Sequence, residues 1–484
     1  MMAVNPDRAP GRIEFRADER SLTPYAGLAV SGALCRGLRL VELIDGELSA
    51  ARVQPVKQRR RGLSPGQLAV AIGECQLAGA ECFDDLEDVR ADQPGAIMRA
   101  VASTPSAPCA RQLARRFKPS HIRAIERGAA RAGNELDRKL GRDPSEAVTF
   151  DLDATETTVC GRHKRGAGRS RHGQLAYNSY VVTWAARGRA LTSELKGGNQ
   201  ARIKAAESGR MLARAERLLP EGHGQITARG DSGFYSVELM NDCRRRNMRF
   251  SLSATRTSVM WSKLAEIEEH AWTDAIDMRG AQVAELPFTP DGWKHELLRL
   301  IVRRVPVTAE QLRSGSPKAR RRKTIPPEQL QMVLDAQLDS TYAYSFIVTD
   351  IPQHEMTTAQ IERFHRQRAQ IEERFKDAKL GHALRHLPSG NLAANRLWLC
   401  CCLLALNLSA LICDLSPAAA ASAQATNKRT PKRRHAKTLR RILFCVPGRI
   451  VRTSRQIIVH LAEGFPHLET FNATYQAALA LPGP

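Results

Sequence analysis

VTFDLDAT, residues 148–155, is where the texture of the chain changes. β-branched and aromatic residues alternate with polar ones, the pattern of a half-buried strand. The same pattern returns in QLAYNSYVVTWAA (174–186) and ALTSELKGG (190–198), and in QITARGD (225–231) after a helical stretch from about Gln200 to Leu219. Ser236 is placed to cap a helix carrying Val237, Leu239, Met240 and Cys243, and residues 249–254 read as another strand.

Three strands, a helix and a fourth strand are the opening of a ribonuclease-H-like domain. The expected fold class is therefore α/β, a ribonuclease-H-like mixed sheet with flanking helices. From 255 to 350, strand-like stretches (AQVAELPFT, ELLRLIVRRVPV, YSFIVTD) surround a basic loop at 318–323, a mostly β insertion. Helical character resumes at Thr357, with Gln360 completing a capping box, and runs through about Lys379. An apolar helix at 391–413, an Ala/Ser-rich linker, a basic tract at 428–441 and an amphipathic stretch follow. Upstream, Lys57, Arg59, Arg60 and Arg61 form a basic arm, and helical spacing from Leu63 to about Asp137 gives a helical candidate for DNA binding. The expected organisation is 1–140, an N-terminal arm and helical DNA-binding region; 145–254, the first part of the mixed-sheet domain; 255–350, the insertion; 351–415, the remainder of that domain; and 416–484, a basic C-terminal region.

At 484 residues the chain has room for two to four domains at about 150 residues each. Its 73 Lys+Arg against 50 Asp+Glu leave a formal charge of +23, which calls for a polyanionic partner. Aromatics, at 5 %, are too scarce for recognition by a wide stacking platform, so duplex DNA held by its phosphates fits better. The 11 cysteines lack metal-ligand spacing and read as reduced core residues; Cys400, Cys401 and Cys402 are consecutive in an apolar run. The charged, proline-bearing start is unlike a signal peptide. The 17-residue, mostly apolar run at 397–413, interrupted by Asn407 and Ser409, reads as a buried helix rather than a membrane span.

Phosphodiester chemistry needs charge neutralised on both the attacking and the leaving oxygen, which two Mg²⁺ ions about 3.5–4 Å apart supply when carboxylates from separate elements converge. Asp153 closes the first strand, Asp231 closes the fourth, and Glu372 lies on the helix after the insertion, at separations of 78 and 141 positions. A lone acid at a strand end is usually a cap or turn residue, so the weight rests on the set. Asp151 shares a strand face with Asp153 and is a rival for the first position; Asp153 is preferred because it is nearer the strand end. On the helix, Arg368, Glu372 and Lys379 share one face, either as a solvated ion-paired surface or as an acid flanked by phosphate-gripping cations.

FDLDATE (150–156), ARGDSGF (228–234) and RQRAQIEERFKDAKLG (366–381) resemble the motifs of bacterial insertion-sequence transposases of the cut-and-paste DDE class, those with a tyrosine-arginine-glutamate-lysine signature. The resemblance runs from the basic arm to the final basic tract. The signature lands on His365, Arg368, Glu372 and Lys379, with His365 standing where tyrosine is usual. The resemblance implies that Asp153, Asp231 and Glu372 bind two divalent metals, Mg²⁺ with Mn²⁺ as a substitute, and are catalytic. It also implies that His365, Arg368 and Lys379 contact DNA near the cut. The implied partners are terminal inverted repeats and target DNA, with a homodimer in the synaptic complex and no membrane; the implied setting is the bacterial cytoplasm, at the nucleoid. Trp261, Trp272 and Trp293 are candidates for stacking on a flipped base, a role left unassigned. A ribonuclease-H-like nuclease without strand transfer and a catalytically decayed DNA-binding regulator are the competing readings.

Overall fold

The computed structural model describes residues 14–51, 54–57, 61–161, 163–200, 203–313, 322–416 and 434–481. Its centre is one ten-stranded mixed sheet. Eight strands follow the order β3-β2-β1-β4-β5-β8-β7-β6, where β1 is Val148–Thr158, β2 Leu175–Trp184, β3 Arg189–Gly197, β4 Ile226–Gly230, β5 Arg249–Ser253, β6 Gln282–Phe288, β7 Leu298–Thr308 and β8 Ser340–Thr349. The two-residue strands Gly168–Arg169 and Thr273–Asp274 complete it. β4 pairs in parallel with both β1 and β5, and the remaining pairings are antiparallel.

Parallel neighbours need a crossover, and the helices α1 (Ala205–Glu216) and α2 (Val237–Arg245) provide it before and after β4. Ser236 caps α2 as expected, accepting from the Leu239 amide. Alternation along β1 divides the sheet's two faces. Phe150 and Leu152 join Tyr180, Val182, Met211 and Met240 in the core under α1 and α2, while Asp151 and Asp153 fall on the opposite face. That opposite face meets a helical body, into which β2 and β3 send Tyr177, Val181 and Leu195.

The stretch 255–350 departs from the expected separate insertion. β8 pairs with β5, so β8, β7 and β6 extend the main sheet; Trp293 is buried in the core on it, and Trp261 and Trp272 pack against that core. Trp261 lies edge-on to Phe346, Trp272 carries the Arg304 guanidinium over its ring, and Trp293 donates to Glu296 O. Residues 314–321 of the basic loop lie outside the described residues, as do Arg59, Arg60 and residues 417–433, which hold the linker and much of the last basic tract.

After β8 come α3 (Thr358–Arg366), α4 (Ala369–Gly381) and α5 (Leu392–Leu415). Thr357 and Gln360 form the expected capping box. α5 is long and apolar enough to cross a membrane, but 89 % of its apolar window is buried inside the protein. The polar residues interrupting its run are satisfied there: Asn407 bonds both N and O of Ala190 on β3, and Ser409 meets His382. The cysteines at 400–402 are buried free thiols, as read from sequence.

The two ends, expected as separate regions 1–140 and 416–484, share one core around α5. Leu22–Thr23 pairs with Gly448–Arg452, which pairs with Ile457–His460. The helices Leu28–Gly37, Pro65–Ala78, Pro119–Lys139 and Leu468–Leu479 pack with α5. Nothing in local sequence reports such a pairing, because its partners lie more than 400 residues apart.

Candidate active site

The site begins with strand register. β1 and β4 are parallel neighbours with Leu152 opposite Gly230, so Asp153 and Asp231 follow side by side. β4 ends at Gly230, whereas β1 continues against β2 to Thr158. Asp153 is therefore in mid-strand rather than closing it, at the level where β1 loses its β4 neighbour. Asp231 begins a tight turn in which its carboxylate accepts from the Gly233 amide at 2.8 Å. Glycine suits that position, since a Cβ there would stand 2.9 Å from the Asp231 oxygen.

α4 crosses β1 and brings Glu372, Lys376 and Lys379 to the same place. Together with Asp153, Asp231 and Arg368 they line a cleft of about 480 Å³, with Phe375 and Leu380 on its apolar side. The Arg368 guanidinium lies between two of the acids, 3.5 Å from Asp153 and 3.2 Å from Glu372. Its Nη1 is buried and makes no hydrogen bond, a donor that an anion in the cleft would satisfy. Glu372 projects outward, with its side chain 66 % exposed.

Electrostatics report the same convergence. Burial pushes the Asp153 carboxyl up to about 6; Arg368 and the Ala154 amide oppose that rise, while the charges of Asp231 and Glu372 add to it. Burial lowers the Lys379 ammonium, which donates to Glu156 O at 2.8 Å and is drawn back by Glu156 and Asp153.

Asp151, the rival for the first acid, is held elsewhere. It is 2 % exposed and receives both Nε and Nη2 of Arg229, at 2.6 and 2.9 Å. Burial raises its carboxyl, against the pull of Arg229.

His365 departs from the expected DNA contact. It is buried, with Nδ1 paired to Ser251 Oγ and Nε2 to Ser253 Oγ, both at 2.8 Å. Burial, with Arg229, Arg368 and Arg303 nearby, pushes its imidazole down to about 3. It does not line the cleft, because the two β5 serines occupy both ring nitrogens. The expected continuous helix is likewise divided, into α3 and α4, at Gln367 and Arg368.

Sequence reading missed Lys376 and Arg229. The signal for Lys376 was available: it stands four residues after Glu372, on the face already shared by Arg368, Glu372 and Lys379. Arg229 lies inside the ARGDSGF motif, but its role depends on neighbours across the sheet.

Divalent cations of the Mg²⁺ kind fit this donor set by chemistry. The cleft offers carboxylate oxygens, hard donors, with neither thiolate nor available imidazole. Among the described residues no three His, Cys, Asp or Glu side chains are gathered around one point, and Arg368 provides the positive charge between Asp153 and Glu372.

The family model for the transposase DDE domain, group 1, matches residues 11–315 and 332–482, and the chain belongs to that family of DNA transposases. DDE transposases generally use divalent metal ions and act on DNA. No curated protein matches the chain. A cryo-EM structure of a piggyBac transposase synaptic complex with hairpin DNA is similar to it at 11 % identity, covering 87 % of this chain and 79 % of that chain, with a TM-score of 0.39.

Proposed function

We propose that this chain is the transposase of a bacterial insertion sequence, working in the cytoplasm at the nucleoid. It binds the element's terminal inverted repeats as a synaptic dimer, cleaves the ends and joins the 3′-hydroxyls to target DNA. Its catalytic core is read as ribonuclease-H-like, with Asp153, Asp231 and Glu372 as ligands for two Mg²⁺ ions, for which Mn²⁺ substitutes. The observation that carries this reading is the meeting of those acids with Arg368, Lys376 and Lys379 at one cleft.

Bound there, the ions would neutralise the attacking and leaving oxygens of the phosphodiester. Arg368 and Lys379, with Lys376 beside them, hold the phosphates of the scissile strand. Arg368 Nη1 faces Asp153 at 3.5 Å without hydrogen-bonding it, a donor that can turn to a phosphate, and Glu372 is exposed enough to swing inward when the guanidinium moves to DNA. Duplex binding is mainly to phosphate, so it weakens steeply with salt.

The test incubates purified protein with a fragment bearing the repeat and either Mg²⁺ or Mn²⁺, beside Asp231→Ala. Metal-dependent cleavage at the repeat boundary, lost in the variant, is expected. Binding without cleavage by the wild type in either metal would favour a decayed regulator, and cleavage without joining of a precut 3′-end to a target plasmid would favour a nuclease.

A further inference from the structure

Arg229 sits at the crossing of every segment that builds the cleft, yet it does not line it. In the sheet its neighbours are Asp151 on β1 and Ser251 on β5, a polar row across three adjacent strands. Two residues further along each strand path come Asp153, Asp231 and Ser253. Side chains two apart share a face, about 6.7 Å on, so the acids form the next row over. The row containing Arg229 is their foundation.

Its guanidinium also reaches the helical layer. Besides holding both oxygens of Asp151, Arg229 donates Nη1 to Phe364 O, and its carbon lies 4.8 Å over the Phe364 ring. That carbonyl would otherwise accept the Arg368 amide in a continuous helix. The Arg368 amide instead bonds His365 O at 3.0 Å, and the helix divides there into α3 and α4. A side chain inserted into the helical ladder is a recognised cause of a break. The neighbouring His365 then fastens the same turn to Ser251 and Ser253.

We infer that Arg229 is a positioning residue for the three acids: it ties the strand of Asp153, the strand end before Asp231 and the turn that launches Arg368 and Glu372 into one fixed arrangement. The fork geometry matters, because one planar group meets Asp151 and Phe364 O together, which an ammonium cannot do. Stability alone does not explain the pair, since replacing a buried ion pair by apolar residues is often neutral or stabilising. This inference rests on reading Asp153, Asp231 and Glu372 as metal ligands.

The test is Mn²⁺ binding by the full chain, followed by electron paramagnetic resonance of the free ion, with melting measured in parallel. Four proteins are compared: wild type, Asp153→Asn, Arg229→Lys, and the apolar double variant Asp151→Leu with Arg229→Met. Arg229→Lys and the double variant are expected to bind Mn²⁺ about 10- to 100-fold more weakly than wild type, the range for residues that orient metal ligands. The double variant, which leaves no buried charge unpaired, is expected to melt no lower than wild type. Wild-type Mn²⁺ affinity in the folded double variant overturns the positioning role. Equal affinity in wild type and Asp153→Asn instead overturns the metal-ligand reading, and the positioning role with it.

Discussion

Two arginine–aspartate pairs stand two residues apart along the same strand, and they are built differently. Asp151 and Arg229 are each about 3 % exposed by side chain and locked at 2.6 and 2.9 Å. Asp153 and Arg368 face each other at 3.5 Å on the wall of a cleft, with Arg368 shared by the mostly exposed Glu372. The first pair is closed, with Arg229 also fixed to Phe364 O, and acts as structure. The second is loose enough to exchange partners, as a site for metal and phosphate requires.

Breaking the open row should cost activity and little else. Asp231→Ala is expected to lower cleavage by about 10²- to 10³-fold, the scale for removing a group that stabilises developing charge, with repeat binding unchanged. Cleavage rates and band-shift titrations measure the two halves of that statement. If binding falls with cleavage, the acid belongs to the fold rather than the reaction.

Breaking the closed pair should do the reverse. Arg229→Ala leaves Asp151 buried and unpaired, a loss of about 3–5 kcal/mol of stability. Arg368→Ala removes a looser pairing, 3.5 Å from the buried Asp153 and 3.2 Å from the exposed Glu372, so its loss should be smaller than that of Arg229→Ala. Urea denaturation of the two variants sharpens the contrast, and equal losses would erase it.

His365, which braces the closed row, gives the contrast a pH dependence. Its folded-state value is pushed down to about 3 from the usual 6.5. The unfolded chain therefore takes up a proton below pH 6.5 that the folded chain refuses. Stability from this group is present above pH 6.5 and lost as pH falls toward 3, by about 2 kcal/mol at pH 5. Denaturation midpoints at pH 7 and pH 5 should converge in His365→Gln relative to wild type.

The smallest effect is expected at the edge of the open row. Lys376→Ala should weaken repeat binding only a few-fold and reduce the slope of log affinity against log salt by about 1. Titrations at several salt concentrations measure it, and an unchanged slope would remove Lys376 from the phosphate contacts.

Much of this arrangement was legible in the chain, for local reasons. Alternation placed β1, β2, β3, β4 and β5, and the capping residues Thr357 and Ser236 placed two helix starts. The row of acids followed from strand positions and helix spacing. The break at Gln367 and Arg368 was not legible, because neither proline nor glycine marks it and the apolar spacing runs through; a guanidinium from another strand makes it. For the same reason His365 was expected at the DNA rather than in the core, since only the sheet reveals the two serines that bond it. The union of the two ends was hidden by distance along the chain.

That union has a consequence for how the protein is made. α5, with its buried tryptophan and three consecutive cysteines, is covered partly by Leu28–Gly37 and partly by Leu468–Leu479. A ribosome delivers Leu28–Gly37 well before α5 and Leu468–Leu479 only after it, so this apolar helix emerges before part of its cover exists. Contacts of such long range close slowly and leave apolar surface exposed meanwhile. A nascent chain stopped before residue 434 would be an open core seeking a chaperone, its apolar helix still lacking the cover that Leu468–Leu479 supplies.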